Sequence, residues 1–371
     1  MSRTFLVAAV TGRALAASAR RGGHDVVVAD CFADRDTRAV ARRCRSVAGR
    51  GLRFDARALL AAAGTLAPLE RCAGLVYGSG FEGRVQLLER LVAGRRLYGN
   101  PPSVVAAVRD VSRFCALLDR LDIPYPETRR ALPPFHSGWL VKLPGGAGGA
   151  HVRHAGRRGP PPGAYYQRFE SGASRSALFL ADGRRAMILG FNEQWAVPLR
   201  RNRPFLYGGA VGGSVLPEAV ESDIRAKLDA LVAATGLVGL NGLDFLLQGD
   251  RWLALEVNPR PTATVELYDQ DYPRGLFEWH LCACDGRLPR APARPRAVRA
   301  HAVVYALAAG RVTPALVFPD WCRDVPNPGT QFVPGDPVCT VHAAASHRDG
   351  AVTLVQRRRA ALQRALFEVA A

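Results

Sequence analysis

The sequence predicts an α/β domain at the N-terminus, an α+β region of two lobes in the middle, and a small β-rich segment with a final helix at the C-terminus. Three observations predict this order. The chain begins with alternating strand and helix patterns, continues with short strands around glycine-rich turns, and changes after a Pro- and Arg-rich linker at 288–298. With 371 residues, 48% of them hydrophobic, it is long enough for two or three domains. The expected domains cover residues 1–100, 101–287 and 299–371.

A βαβ unit predicts the first domain. A strand at 5–10 is followed by a turn at Gly12, a helix at 13–21 and a second strand at 25–29. A later strand at 74–77 runs through G-S-G-F-E into another helix, and the break G-N-P-P ends the domain. These patterns are typical of a Rossmann-like domain.

The turn T-G-R-A of this unit contains one glycine, too few for the G-x-G-x-x-G dinucleotide fingerprint, so we do not expect NAD binding. Three carboxylates, Asp30, Asp34 and Asp36, follow the second strand, at the sheet edge where open α/β sheets bind ligands. Contact with a ligand and simple solvation of these loop carboxylates are equally good interpretations.

The middle region begins with a helical pattern at 103–121, which ends where the prolines of L-D-I-P-Y-P-E-T force extended backbone. A loop is expected at 207–213, Y-G-G-A-V-G-G, and a helix at 217–235. Two runs at 243–247 and 252–257 flank Q-G-D-R and predict an antiparallel hairpin. Short strands are expected at 139–143, 165–169, 176–180 and 186–191.

Bulk properties narrow the function classes. The net charge of +18 attracts anions, but arginine is spread along the chain and no basic segment is interleaved with aromatics, so we expect no specific nucleic-acid partner. The eight cysteines lack C-x-x-C spacing, which favours reduced structural cysteines. The first ten residues lack a signal-peptide cleavage region and are too short to span a bilayer, so we expect a cytoplasmic protein without a membrane partner.

The stretch W-L-V-K-L-P-G-G-A-G-G-A-H-V, at 139–152, contains Lys142, one of only two lysines among 50 basic residues. Glycines after a strand let backbone N–H groups approach a phosphate, and a lysine at the strand end can add a compact positive charge. A Walker loop needs G-K-[ST] before a helix, which is absent here. On its own the stretch predicts a surface glycine hairpin equally well. Its glycines are Gly145, Gly146, Gly148 and Gly149.

The predicted hairpin carries the second constellation. Asp244 and Glu256 lie on adjacent strands, and Glu256 and Asn258 share a strand face because side chains repeat every second residue. Arg260 shares that face if the strand continues. Two carboxylates and an amide oxygen suit Mg²⁺, and an arginine beside them suits charge on a transferred phosphoryl group. A charged hairpin edge is the simpler alternative, but the carboxylate within L-A-L-E-V is costly without a cation.

The order of these motifs resembles the ATP-grasp superfamily. It runs from the glycine-rich flap with its lysine through Y-Y-Q-R-F-E-S-G and V-G-L-N-G-L-D-F to L-E-V-N-P-R-P, in which L-E-V-N-P-R is a specific signature. A-D-C-F-A-D-R-D-T, L-V-Y-G-S-G-F-E and F-P-D-W-C-R-D-V-P-N-P-G-T are similar to a subgroup of predicted ATP-grasp carboligases related to biotin carboxylase. Some members of that subgroup are associated with the synthesis of one-carbon carriers.

The resemblance implies a nucleotide held between two α+β lobes. On this pattern Lys142 contacts the ATP phosphates, the glycine flap covers them, and Arg260 steadies the transferred phosphoryl group. Mg²⁺, with Mn²⁺ as the alternative metal, would be held by Asp244, Glu256 and Asn258. The hinge beside the adenine would consist of Gln167, Arg168 and Phe169.

Two positions depart from the family pattern. The early basic residue of the family aligns with Val111, with Arg109 and Arg113 as candidate substitutes, and the acidic residue that commonly holds ribose falls near Ser174. These departures put nucleotide affinity or selectivity in doubt.

The expected function is an ATP- and Mg²⁺-dependent carboxylate–amine ligase that acts through an acyl phosphate, with small-molecule carboxylate and amine substrates. The positive net charge favours an acidic substrate such as glutamate. An ATP-dependent carboxylase or phosphotransferase and a non-catalytic nucleotide-binding protein are the alternatives, and assembly as a homodimer is an open question.

Overall fold

The computed structural model describes residues 4–49, 51–131, 133, 136–156, 161–199 and 203–367. The outer ends of the predicted first and last domains, 1–3 and 368–371, lie outside the described residues. The architecture is mixed α/β, with a parallel sheet at the N-terminus and a large antiparallel sheet behind it. This confirms the predicted fold class.

The N-terminal sheet has five parallel strands in the order β3-β2-β1-β4-β5. Its strands are β1 (Thr4–Ala8), β2 (Val26–Asp30), β3 (Arg43–Ser46), β4 (Cys72–Tyr77) and β5 (Leu97–Tyr98). The helices between them are α1 (Arg13–Arg21), α2 (Arg35–Val40), α3 (Ala56–Leu66) and α4 (Val85–Val92). All five residues of β2 are buried, as expected of a parallel strand covered on both faces.

The order of this sheet creates a crevice at its carboxyl edge. The chain winds outward from β1 through β2 to β3 and then continues on the other side of β1 with β4, so its direction reverses between β1 and β4. The loops after these two strands meet there, where the Val10 N–H donates to the Ser79 carbonyl at 2.9 Å. Open α/β sheets bind ligands at such a switch point.

Two helices replace the single helix predicted at 103–121, so that prediction is wrong. They are α5 (Pro102–Arg109) and α6 (Val111–Arg120). Asp110 between them has extended backbone, and its carboxylate accepts hydrogen bonds from the N–H groups of Ser112 and Arg113, both at 3.0 Å. This N-cap competes with helix continuation and turns the chain at Arg109.

A four-stranded antiparallel sheet forms the small lobe, in the order β6-β9-β7-β8. Trp139, Val141, Ala164 and Tyr166 form its core. The lobe carries the glycine flap between its second and third strands. Its strands are β6 (Thr128–Arg129), β7 (Trp139–Lys142), β8 (Val152–His154) and β9 (Tyr165–Arg168).

The large sheet has eight strands in the order β14-β13-β10-β11-β12-β15-β19-β17. Its first part consists of β10 (Ala173–Asp182), β11 (Ala186–Ala196), β12 (Tyr207–Val211), β13 (Val238–Gln248) and β14 (Arg251–Asn258). Its second part consists of β15 (Val298–Tyr305), β17 (Cys322–Arg323) and β19 (Pro337–Ala345). The C-terminal strands therefore continue the sheet of the middle region.

The strand β12 corrects the loop predicted at 207–213. Gly209 has φ +154, and a Cβ there would lie 2.3 Å from the His301 carbonyl oxygen of β15. The glycines therefore let two strands approach closely, and they do not form a loop.

Three helices pack against the large sheet. They are α7 (Glu218–Thr235), α8 (Gly275–Cys284) and α9 (Arg348–Phe367). The largest apolar cluster includes Val220, Ile224, Leu228 and Leu231 of α7. A separate pair of short strands, β16 (Gly310–Arg311) and β18 (Gln331–Phe332), lies outside the large sheet. Across the described residues, no helix combines the length and apolar character needed to cross a membrane.

Candidate active site

The β13–β14 hairpin brings together the three residues predicted to bind metal. Asp244 lies directly opposite Glu256, and Asn258 lies opposite Gly242. The Asn258 Nδ2 donates to Asp244 Oδ2 at 2.9 Å. From the neighbouring strand, Gln194 Nε2 donates to Asp244 Oδ1 at 3.1 Å. The hairpin register therefore groups oxygen ligands of the type that Mg²⁺ prefers.

Arg109, at the end of α5, pairs with this hairpin. Its Nη1 donates to Glu256 Oε2 at 2.8 Å, and its Nη2 donates to the Gly146 carbonyl at 3.1 Å. Of the two basic candidates for the early position, Arg109 reaches the site, whereas Arg113 lies on an exposed face of α6. Because Asp110 ends α5, the last residue of that helix, Arg109, can turn toward the glycine flap.

The two carboxylates differ in charge state. Burial raises the pKa of Glu256, but the charges of Arg109 and Lys142 outweigh burial and hold that pKa well below its usual range. Burial raises the pKa of Asp244, and the negative charge of Glu256 raises it further. A divalent cation between them would favour the charged form of both.

Lys142 is the last residue of β7. Burial lowers the pKa of its ammonium group, and the negative charge of Glu256 opposes this effect. Within the part of the chain that the structure describes, Lys142 Nζ has no hydrogen-bond or ion-pair partner. A half-buried ammonium without a fixed partner is available to an anion such as a phosphate.

The glycine flap contacts two other parts of the chain. Gly145 has φ +71, and a Cβ there would lie 2.3 Å from the Cα of Gly83 in the N-terminal domain. Gly149 has φ +72, and its Cβ would lie 1.7 Å from the Phe205 carbonyl oxygen. The Tyr207 N–H donates to the Gly148 carbonyl at 3.0 Å. Close backbone packing on both sides therefore explains these two glycines.

Arg260 is fixed by the N-terminal domain. Its Nε donates to Glu82 Oε1, and its Nη2 donates to Asn258 Oδ1 at 3.2 Å. The side chains of Arg260 and Glu82 are 10% and 4% exposed. The Gly80 N–H donates to the second oxygen of Glu82 at 2.8 Å. Reasoning from the sequence missed Glu82, for which the only signal was its position in L-V-Y-G-S-G-F-E.

A pocket that is open to solvent lies beside these charges. Val111, which the resemblance aligns with a basic residue, faces this pocket, and Glu256 and Arg109 are part of its wall. The other lining residues come from the same two helices, the small lobe and β14, and include Phe114, Cys115, Leu143, Tyr165 and Leu255. An apolar slot with charges on one side suits a base attached to phosphates.

The three predicted hinge residues differ in position. Gln167 lines the pocket, is 5% exposed, and donates from Nε2 to Thr128 Oγ1 at 3.2 Å. Arg168 is exposed, and its guanidinium lies 5.7 Å from the Trp139 ring centroid. Phe169 is 43% exposed and packs beside the His154 ring. Only Gln167 of these three is among the residues that line the pocket.

The residues present fit a magnesium ion. Among the described residues, no group of three or more His, Cys, Asp and Glu side chains is arranged to hold a metal alone. The hairpin supplies two carboxylates and one amide, a set that suits an ion sharing its coordination with substrate phosphates. Asp244, with its raised pKa, is the ligand that such an ion would change most.

Comparison with known proteins shows that residues 110–264 match the ATP-grasp domain family. The carbamoyl phosphate synthase large chain of Thermus thermophilus is 28% identical over 201 residues, which are 47% of this chain and 19% of that protein. The match therefore spans about a fifth of the length of that curated relative.

Three solved structures share the fold across nearly the whole chain. L-amino acid ligase from Bacillus licheniformis has a TM-score of 0.71 and 13% identity, over 96% of this chain and 97% of that one. N5-carboxyaminoimidazole ribonucleotide synthetase from Thermotoga maritima has a TM-score of 0.69 and 16% identity, over 96% and 98%. The biotin carboxylase domain of Hydrogenobacter thermophilus 2-oxoglutarate carboxylase, a dimer with MgADP and bicarbonate, has a TM-score of 0.72 and 13% identity, over 95% and 89%. At these identities the likeness establishes the fold alone.

Proposed function

We propose that this chain, whose residues 110–264 match the ATP-grasp domain family, is an ATP- and Mg²⁺-dependent ligase that joins a carboxylate to an amine. The observation that carries the proposal is the grouping of Lys142, Arg109 and Arg260 around the carboxylates of the hairpin. Of this group, Arg109 and Glu256 line the pocket. Three cations facing two carboxylates match the demands of a polyphosphate with a divalent metal.

In the proposed reaction the pocket holds the adenine and the glycine flap covers the phosphates. Lys142 neutralises phosphate charge, since its ammonium is half-buried and has no fixed partner among the described residues. Asp244, Glu256 and Asn258 would hold Mg²⁺, which when bound spreads the negative charge of the phosphate oxygens. Arg109 would shift from Glu256 toward the phosphates.

The substrate carboxylate attacks the γ-phosphorus, and the bond from that phosphorus to the β-bridging oxygen breaks, which gives an acyl phosphate and ADP. The amine then attacks the acyl carbon, and inorganic phosphate leaves. Arg260 faces the transferred group in this scheme, and Glu82 orients its guanidinium. Positioning and charge stabilisation supply the rate in such reactions, so no protein nucleophile is needed.

Release of ADP in a screen of carboxylate and amine pairs tests the proposal. The ligase requires both substrates and forms one phosphate per ADP, whereas a carboxylase requires bicarbonate and a phosphotransferase leaves a phosphorylated product. The solved carboxylase with MgADP and bicarbonate makes bicarbonate a necessary arm of the screen. Absence of ADP release with every pair and with bicarbonate would favour a non-catalytic nucleotide-binding protein.

Glu256→Gln tests the metal assignment. We expect Mg²⁺-dependent turnover to fall at least a hundredfold, because one charged metal ligand is lost. Glu89, an exposed residue of α4, provides the matched control, and Glu89→Gln should leave turnover unchanged. Unchanged activity of a folded Glu256→Gln protein would contradict the assignment.

Several finer expectations stay predictions. An acidic substrate such as glutamate, a link to one-carbon carriers, Mn²⁺ as an alternative metal, a homodimer and a cytoplasmic location are each supported by the sequence alone. Substitution of Mn²⁺ in the ADP assay and light scattering of the purified protein test the metal and the dimer.

A further inference from the structure

A second charged cluster lies at the carboxyl edge of the N-terminal sheet, separate from the pocket. We call it the acidic crevice and define it by Arg13, Asp34, Asp36, Glu266 and Asp324. Arg13 Nη1 donates to Glu266 Oε1 at 2.5 Å, and Arg13 Nε donates to Asp324 Oδ1 at 3.0 Å. The crevice therefore joins the first strand–helix turn, the segment after β14 and the segment after β17.

Its charges do not balance. One arginine faces four carboxylates in a chain whose net charge is +18, so the local charge is opposite to that of the whole protein. Asp36 is satisfied by the N–H groups of Asp324 at 2.8 Å and Val325 at 3.0 Å. Arg13 is occupied by Glu266 and Asp324. Among the described residues, these contacts leave Asp34 without a direct partner, and only the charge of Arg13 opposes its negative neighbours.

Asp34 is 4% exposed, and in the described part of the chain its carboxyl group has no hydrogen-bond or ion-pair partner. The charges of Asp324, Asp30 and Asp36 act on this group, which therefore lies within the crevice. Burial, followed by those three charges, raises the pKa of Asp34 to about 8. The charged form of a largely buried carboxyl group without a hydrogen-bond partner is costly, and a cation from outside the chain would favour that form.

The histidines beside the crevice also leave a polar atom unused. His301 is 3% exposed, and its buried Nδ1 has no hydrogen-bond partner among the described residues. The ring centroid of His301 lies 5.8 Å from that of His342. The Nε2 atom of His342 lies 3.9 Å from Glu266 Oε2. The crevice is open to solvent, because the side chains of Asp36 and Glu266 keep 24% and 21% of their surface exposed.

The position suits a substrate of the proposed ligase. Arg13 follows β1, and Glu82, the partner of Arg260, follows β4, the next strand of the sheet. The acidic crevice and the catalytic arginine therefore lie at the same edge of the sheet, on either side of the switch point. A molecule reaching from one to the other would place a distal group among the carboxylates.

We propose that the acidic crevice binds a cationic group, an ammonium or guanidinium, that a substrate carries away from its reacting end. This inference rests on the proposed function, since it assigns one class of substrate to the same reaction. An organic cation fits better than a metal ion, because most crevice carboxylates already accept hydrogen bonds from Arg13 or from backbone N–H groups and have few oxygens left to ligate a metal.

Calorimetric titration of the full chain with 1,4-diaminobutane at pH 7.5 tests the proposal, with 1,4-butanediol as the uncharged control of similar shape. We expect the diamine to bind and the diol not to bind. Asp34→Asn should weaken diamine binding at least tenfold, and Asp250→Asn, at an exposed hairpin turn, should leave it unchanged. Equal binding of diamine and diol, or unchanged binding by Asp34→Asn, would overturn the proposal.

A measurement on the unmodified protein guards against a variant that does not fold. Diaminobutane should raise the melting temperature and butanediol at equal concentration should not; equal shifts would count against the crevice.

Glu256→Gln separates the two proposals, because it should abolish Mg²⁺-dependent turnover and keep diamine binding. If the wild-type protein is active as a ligase but does not bind the diamine, the crevice proposal is refuted. If the wild-type protein binds the diamine but is inactive, the ligase proposal is refuted.

Discussion

Replacement of Glu82 by glutamine tests the link between the N-terminal domain and Arg260. The carboxylate of Glu82 accepts hydrogen bonds from Arg260 Nε and from the Gly80 N–H. The glutamine side chain has nearly the same shape and can still accept from Gly80. It removes the negative charge, so Arg260 stays buried with only the neutral acceptors Asn258 Oδ1 and the Pro261 carbonyl.

The expected loss of stability follows from burial. With side-chain exposures of 10% and 4%, this is a buried ion pair, and removal of one partner from such a pair costs about 3–5 kcal/mol. We take the lower value, about 3 kcal/mol, because the hydrogen bond from the Gly80 N–H is retained. An unfolding entropy of roughly 2.1 cal/mol/K per residue gives about 0.8 kcal/mol/K for the chain, so the melting temperature should fall by about 4 °C.

The assay is calorimetric melting of wild type, Glu82→Gln and the exposed control Glu89→Gln from pH 7 down to pH 3. Burial raises the pKa of Glu82, but the charges of Arg260 and Arg109 outweigh burial and lower it. The stabilisation is therefore complete above the unfolded-state pKa of about 4.3 and is lost as the pH falls through the folded-state pKa. A Glu82→Gln melting temperature within about 1 °C of wild type at pH 7 would refute the reasoning.

Three further predictions concern the flap, the lysine and the acidic crevice. Gly149→Ala should raise the KM for ATP at least tenfold because its Cβ would meet a carbonyl oxygen, whereas Gly148→Ala, also at positive φ but with open space around it, should have a smaller effect in the same assay. Lys142→Arg should lower both ATP affinity and turnover about tenfold, since the planar guanidinium cannot replace a compact ammonium, and calorimetric ATP titration with ADP release measures both. Asp34→Asn and wild type should melt at the same temperature below pH 4. Between pH 4 and about pH 8 the melting temperature of the variant should exceed that of wild type by a growing margin, because a folded-state pKa raised to about 8 makes the wild-type carboxylate destabilising above its unfolded-state pKa. Melting temperatures that change in parallel with pH in the two proteins would contradict the assignment.

Much of the fold could be predicted because hydrophobic periodicity identifies strands and helices locally. The β13–β14 hairpin follows from two apolar runs around Q-G-D-R, and its register pairs Asp244 with Glu256. The errors arose where one local sequence pattern is compatible with two different structures. Asp110 carries no marker that distinguishes a helix cap from an exposed helix position, and the glycines of β12 are typical of loops unless the neighbouring strand is known.

The candidate site was predictable where its residues share one strand and obscure where distant segments meet. Glu256 and Asn258 follow from side-chain alternation in L-E-V-N-P-R. The strand β14 ends at Asn258, so Arg260 lies beyond it. Glu82 lies 178 residues before its partner Arg260, so no local pattern could pair them. The lack of a partner for Asp34 likewise depends on three separate segments of the chain.

The Arg260–Glu82 contact limits how this protein can be divided or recombined. Residues 110–264 match a domain family by themselves, but the arginine at the end of that region takes its orientation from a glutamate outside it. A chimaera that joins this region to a foreign N-terminal domain would need an acidic residue at the equivalent loop to remain active. In evolution, the two positions are expected to change together, as one inherited unit that crosses a domain boundary.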